Sequence, residues 1–403
     1  MRKLVVALGL VCAVSRDVST VRADDLPSKP GKATDKAKAE PPRPEPVPQE
    51  FLAEAQTLLV VGACAEGKQT QVKQELVDAH CKKVRAAQDA YRKSWLAPAR
   101  TFFQAHVPAD APKTVVYPFA GGDLSTALTV YPDADEITTL SLEPAGDPRA
   151  LGRLADKQKA AALATVATEL ESLYTSNFSK TMNMINAMRG GQLPTQLIFS
   201  LSALHMHGYE LVGMKYFQLT PKGELHYLTD ADAARAERVS DAGWRNRQFA
   251  NVELRFKKPG SKHEQIYRHI MANLDDPHLA KYKAPLLHLE AKGHVAAMTK
   301  AASYLLTFPE FSTMRRYVID HVDWMVSDTT GLAPAEGTPA GFEYETYGTW
   351  ESSNMHAGKY VTPQWKALFK SQPARPLAFR FGYPDGKLRP HLVVMRRAKA
   401  KKA

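Results

Sequence analysis

The chain has 403 residues, of which 44% are hydrophobic and 24% charged, with a formal net charge of +11. This supplies apolar material for one large or two ordinary cores and excludes a wholly disordered or fibrous chain. The charge is concentrated at the ends: residues 1–23 carry +3, residues 24–50 carry −1 and residues 396–403 carry +5, which leaves +4 for the body at 51–395. A body with no basic stripe interleaved with aromatics argues against nucleic-acid binding.

Residues 1–23 have the order of a secretory signal peptide. Arg2 and Lys3 precede the apolar run Leu4–Val14, and Val21-Arg22-Ala23 sets small residues before Asp24. The run is shorter than the roughly 20 residues that span a bilayer, so no transmembrane span is expected once the signal is removed. The expected location is therefore exported: periplasmic or extracellular, in a bacterial envelope. Residues 24–50 (DDLPSKPGKATDKAKAEPPRPEPVPQE) contain no aromatic residue and are rich in Pro, Lys, Glu and Ala. Such a segment buries too little apolar area to offset chain entropy and is read as a disordered linker. Residues 396–403 (RRAKAKKA) form a basic tail. The mature chain keeps Cys64 and Cys81, and two cysteines in an oxidising compartment predict one disulfide, worth about 3 kcal/mol in the chain-entropy model. Two buried free thiols are the alternative.

The body reads as one α/β unit: a mixed, partly parallel sheet flanked by helices and preceded by an α-hairpin over residues 51–106. The second hairpin helix runs from about Gln69 to Ala105, with Pro98 as its expected break. Val115–Tyr117 is a strand, Gly121-Gly122 a turn, and Asp123 the N-cap of a helix over Leu124–Val130. A second strand over Glu136–Leu142 implies a crossover and a parallel pair. Helices are expected over Leu151–Tyr174, Phe178–Met188 and Leu193–His205. Strands follow at Tyr209–Leu219, Glu224–Leu228 and Asn251–Phe256. Further helices are expected at Ile266–Leu274, Pro285–Ala291, Ala297–Leu306 and Ser312–Val326. The chain closes with a strand at Phe342–Tyr347, a helix at Gln364–Phe369, and a hairpin pairing Leu377–Tyr383 with His391–Met395.

The Gly-Gly-Asp turn is the first candidate site. A glycine turn at a helix N-terminus lets backbone N–H groups approach a ligand, and Glu143 ends the next strand where such folds contact a ribose. The stretch resembles the opening of Rossmann-like methyltransferases and dinucleotide enzymes, but the G-x-G-x-x-G pattern is missing and Asp123 would repel a phosphate. No cofactor is therefore expected; the turn either borders a ligand or is purely structural. Asp328, within Ser327-Asp328-Thr329-Thr330-Gly331, is read as a cation or sugar contact or as an Asx turn. Lys300 lies near Ser303 and Tyr304 along a predicted helix. A catalytic serine–lysine pair and a loop-holding polar contact are the two readings. His205-Met206-His207 lacks a metal-ligand spacing, so no metal is expected.

YPFAGGD, SLEPAGD, KAASYLL, FSTMRRYVIDHVDWMVSDTTG and YGTW together resemble a family of exported bacterial proteins. That family carries a YPF-x-G-x-D turn, an L-E-P strand end, a K-x-x-S-Y-L-L helix and a D-[TS]-G turn. The resemblance covers most of residues 55–395. It implies that Tyr117, Gly121, Gly122, Asp123, Glu143, Lys300, Ser303, Tyr304 and Asp328 gather at one cleft, and it carries no activity with it. The expected partner is a polar small molecule or envelope glycan. A hydrolase using Asp123 or Glu143, and a structural envelope protein without ligand, are the other two readings.

Overall fold

A computed structural model describes residues 47–176, 192–238, 247–352, 358–383 and 386–398, with the side chains of 302–304 and 358–361 left aside. Within the unit Pro46–Ala403, the strands are β1 (Thr114–Pro118), β2 (Glu136–Ser141), β3 (Glu210–Leu219), β4 (Leu225–Tyr227) and β5 (Asn251–Lys257). They continue as β6 (Glu264–Met271), β7 (Val295–Thr299), β8 (Val322–Ser327), β9 (Phe342–Gly348) and β10 (His391–Arg397). All ten lie in one sheet in the order β4-β3-β5-β6-β2-β1-β7-β8-β10-β9. The five central strands, β6-β2-β1-β7-β8, are mutually parallel, and antiparallel strands extend both sides. The parallel block follows the doubly wound order, in which strand direction of travel reverses beside β1.

The helices are α1 (Leu52–Val61), α2 (Gln74–Tyr91), α3 (Ala97–His106), α4 (Leu124–Val130), α5 (Asp156–Ser176) and α6 (Thr195–Met206). Beyond them come α7 (Asp230–Arg238), α8 (Asp276–Lys281), α9 (Ala284–Glu290), α10 (Ser312–His321), α11 (Pro334–Gly337) and α12 (Gly358–Ser371). Two apolar cores lie on the two sheet faces. Val115 and Tyr117 of β1 point into the core that holds Phe103, Leu124, Leu197 and Phe199. Val116 points into the one that holds Leu289, Met314 and Trp365. This is the alternation that a strand covered on both sides imposes.

The expected β1-α4-β2 unit is present with a parallel pair. The two N-terminal helices are present as well. The disulfide Cys64–Cys81, with Cα atoms 5.4 Å apart, ties the turn after α1 to α2. Pro98 does not end the second helix. A single π turn over Arg92–Leu96 widens it, Ala97 N–H bonds to the Arg92 carbonyl, and α3 continues through the proline. The folded body also reaches into both expected ends. Gln49 N–H donates to the Leu228 carbonyl, Glu50 pairs with Lys215 and Arg255, and Arg396 and Arg397 belong to β10.

Four expected elements differ. Ala297–Leu306 is not a helix: Val295–Thr299 is a central strand and Ala301–Thr307 a tight 3₁₀ segment. The helix from Ser312 ends at His321, and Val322–Ser327 is a strand. Ile266–Leu274 lies largely in β6. Leu377–Tyr383 forms no strand, and β10 pairs instead with β9 and β8. The helix expected over Phe178–Met188 lies outside the described residues. No helix among the described residues is long and apolar enough to cross a membrane.

Candidate functional site

The carboxyl ends of β1, β7 and β8 meet in a buried polar cluster. β1 runs into the Phe119–Gly122 turn, where Phe119 and Gly121 both have positive φ. The turn delivers Asp123 to the start of α4, and its Oδ1 accepts from Thr126 N–H (3.3 Å) and Thr126 Oγ1 (2.8 Å). Tyr117 hydroxyl donates to Oδ2 at 3.2 Å. Lys300 leaves β7 in extended conformation and is 1% exposed. Its Nζ forms an ion pair with Asp123 Oδ2 and donates to Thr126 Oγ1 at 2.8 Å. The rings of Trp95 and Phe381 close over it, with centroids 5.9 and 5.6 Å from Nζ. The Trp95 indole N–H in turn holds the Arg380 carbonyl at 2.6 Å.

Asp328 continues this cluster from the end of β8. Its Oδ2 accepts from Ala301 N–H (3.1 Å) and Tyr383 N–H (3.0 Å). Its Oδ1 accepts from Thr330 N–H (2.9 Å) and the Thr330 hydroxyl. The chain passes so close here that a Cβ on Gly382, whose φ is +64°, would lie 1.9 Å from Asp328 Oδ2. Burial lowers the Lys300 pKa despite the opposing pull of Asp123, and burial, then Asp123, raises that of Tyr117. Removing one partner of such a pair leaves a buried charge, at a cost of about 3–5 kcal/mol.

The other half of the expected cleft is filled. α6 lies across the glycine turn: Gln196 Nε2 donates to the Gly121 carbonyl at 2.9 Å, and a Cβ on Gly122 would sit 2.2 Å from Phe199 Cδ2. Glu143 is fully buried, and its carbonyl accepts from His269 Nε2 at 2.7 Å. That bond fixes the proton on Nε2 and leaves Nδ1 facing the Thr139 hydroxyl at 3.3 Å. Burial outweighs the carbonyl contact and lowers the His269 pKa to about 4, so the ring is neutral. Where the strand order reverses, between β1 and β7, and a nucleotide would lie in a doubly wound fold, the space holds the Asp123–Lys300 pair under Trp95 and Phe381, with Gln196 and Phe199 on the glycine turn.

Open space lies to one side. A cavity of about 380 Å³ sits beyond the ends of β7 and β8, lined by Leu306, Phe308, Arg315, Leu332, Ala335 and Gln364, with Gly331 of the Asp328 turn in its wall. Arg315 is held on its rim, donating to the carbonyls of Leu306 (2.5 Å) and Phe308 (3.3 Å). The size and the mix of apolar walls with a few fixed polar groups suit a small ligand.

Of the residues singled out in the sequence, Tyr117, Asp123, Lys300 and Asp328 come together directly. Gly121 and Gly122 adjoin them beneath α6, and Glu143 belongs to the neighbouring buried group. The side chains of Ser303 and Tyr304 lie outside the described residues. Thr126, Gln196, Phe199, Trp95 and Phe381 escaped the sequence reading. Only Thr126, three residues after the N-cap, left a local signal.

A second constellation looks catalytic and is not. Ser125 Oγ lies 3.1 Å from His207 Nε2, while Arg100 Nη2 donates to Nδ1 at 3.1 Å. An arginine in the orienting position makes Nδ1 the acceptor, so Nε2 carries the proton and faces Ser125 as a donor. The imidazole cannot take the serine proton, and burial with Arg100 lowers its pKa to about 3. Among the described residues, Cys64, His80 and Cys81 alone have metal-ligand proximity. The two sulfurs are joined, however, and the His80 ring nitrogens face the Leu163 and Gly62 carbonyls.

Comparison with known proteins finds no family model, no curated protein and no solved structure that matches the chain.

Proposed function

We propose that the protein is an exported binding protein that takes a polar small molecule or an envelope glycan fragment at the carboxyl edge of its sheet. One observation carries this reading. The crevice at the strand-order reversal is filled by the protein's own side chains, while the cavity beside the Asp328 turn is open. Ligands of open α/β sheets bind outside the carboxyl ends of the strands at the order reversal; with that crevice filled, the open cavity farther along the same edge supports a displaced site. Export is supported by the signal-like residues 1–23 and the Cys64–Cys81 disulfide.

The hydrolase reading is less well supported. An acid or base must reach a proton of the substrate, and Asp123 is buried in an ion pair with Lys300.

The test is a thermal-shift screen of wild type and Ala335→Trp against N-acetylglucosamine oligomers, muramyl peptides and polar metabolites. Ala335 is exposed at the cavity wall, and an indole there fills the space. A ligand at 100 times its Kd stabilises the folded state by about 2.7 kcal/mol. The expected result is a compound that raises the wild-type midpoint and leaves the variant unmoved. A compound that shifts both equally would place binding elsewhere.

A further inference from the structure

We propose that Lys300 and Asp123 condense to an intramolecular amide that joins the turn after β1 to the end of β7. Three observations converge on this covalent site, and they are independent of any ligand.

The first is placement. The two side chains are in contact and almost completely buried, at 1% and 3% exposure, and each is fixed from a different strand end. Fixing two reacting groups against each other turns a bimolecular encounter into a unimolecular one, worth an effective molarity of up to about 10⁵–10⁸ M where the attack geometry is met. The second is the medium. Trp95 and Phe381 wall off Nζ, and burial there disfavours the charged amine, the form that has no lone pair to attack with. The lowered Lys300 pKa, set first by burial, agrees with this.

The third is the set of donors around the carboxyl group. Asp123 Oδ1 accepts from Thr126 N–H and Oγ1, where negative charge develops during attack. Oδ2, the oxygen that must leave, touches Nζ and accepts from the Tyr117 hydroxyl. Asp328 is already engaged on both oxygens by its own turn and by the backbone N–H groups of Ala301 and Tyr383, so Asp123 is the carboxyl group set against Nζ.

The step balances without an oxidant or reductant. Lys300 gives one proton to Asp123 Oδ2, leaving an amine and a carboxylic acid. The Nζ lone pair attacks Cγ and forms the N–C bond, with charge on Oδ1. A proton on the nitrogen passes to the Oδ2 hydroxyl, the Cγ–Oδ2 bond breaks, one water leaves and Oδ1 re-forms the carbonyl. Thr126 keeps its contact with Oδ1 throughout.

Intact mass spectrometry of the purified full chain, followed by tryptic digestion, tests the proposal. The expected protein is lighter than its sequence by one water beyond the hydrogens lost to the disulfide. Its digest contains a branched species joining residues 114–149 to residues 293–315, uncut after Lys300. Asp123→Ala recovers the full mass, and because the wild-type digest decides the question, the result does not depend on how that variant folds. Full mass with normal cleavage after Lys300 identifies a plain ion pair and overturns the proposal. A water loss mapped to any other residues, such as a succinimide, overturns it equally.

Discussion

Gly122 gives the sharpest test of what the Gly-Gly turn is for. If the turn were open for a ligand, Gly122→Ala would touch nothing. Its φ lies outside the left-handed region, so alanine adopts the backbone freely and gains about 0.4–1 kcal/mol from a less flexible unfolded chain. In the structure, however, the new Cβ meets Phe199 Cδ2 at 2.2 Å within a packed core. Overpacking of that kind costs about 1–3 kcal/mol. Gly122→Ala alone should therefore lose on the order of 1–2 kcal/mol. Phe199→Leu withdraws the ring edge, and in that background the same substitution should be neutral or slightly stabilising. Urea unfolding of wild type, both single variants and the double variant gives the coupling, expected at about 1–3 kcal/mol. Equal effects of Gly122→Ala in both backgrounds would refute the view that α6, and not a ligand, occupies this turn.

The remaining predictions concern the frame. Reduction of Cys64–Cys81, which are 17 residues apart, should lower stability by about 3 kcal/mol. Thiol titration of the unreduced, denatured chain should find neither of these cysteines reactive, and two reactive thiols would contradict the bridge. For Glu136, burial alone would raise the carboxyl pKa, but Lys292 and Arg268 outweigh it and lower the value from 4.5 to about 2. A depressed folded pKa means that this stabilisation is complete above pH 4.5 and is lost as pH falls toward 2. Urea midpoints across that window should fall more steeply for wild type than for Glu136→Gln, and parallel slopes would contradict the assignment.

The sequence made local features legible and long-range ones illegible. The β1-α4-β2 unit announced itself through a β-branched strand, two glycines, an N-cap and a second strand within thirty-odd residues. β7 did not. Val295–Thr299 is buried on both faces, so it shows no alternation, and its alanines read as helix. β6 misled more actively: one face turns Gln265, Tyr267 and His269 into the structure and the other carries Ile266, Arg268 and Ile270, so polar residues lie on both covered faces and no strand alternation shows. Val322–Ser327 continued an apolar run that already read as helix, and only the sheet contacts of β7 and β10 define it as a strand. At the site, Asp123, Lys300 and Asp328 were each visible as motif residues. That they meet depends on three strand ends lying side by side, and that Phe199 and Gln196 seal the turn depends on a helix some seventy residues further along the chain. No local pattern records such a contact.

The central claim is that the ligand site lies beside the Asp328 turn and not over the Gly-Gly turn. The most direct measurement is amide hydrogen exchange of the full chain with and without the strongest stabilising compound from the thermal-shift screen. Added protection confined to the segments around Leu306–Pro309, Gly331–Glu336 and Gln364 is the predicted result, with Ala120–Thr126 and Thr195–Phe199 unchanged. New protection at Ala120–Thr126 with none around the cavity would contradict the account.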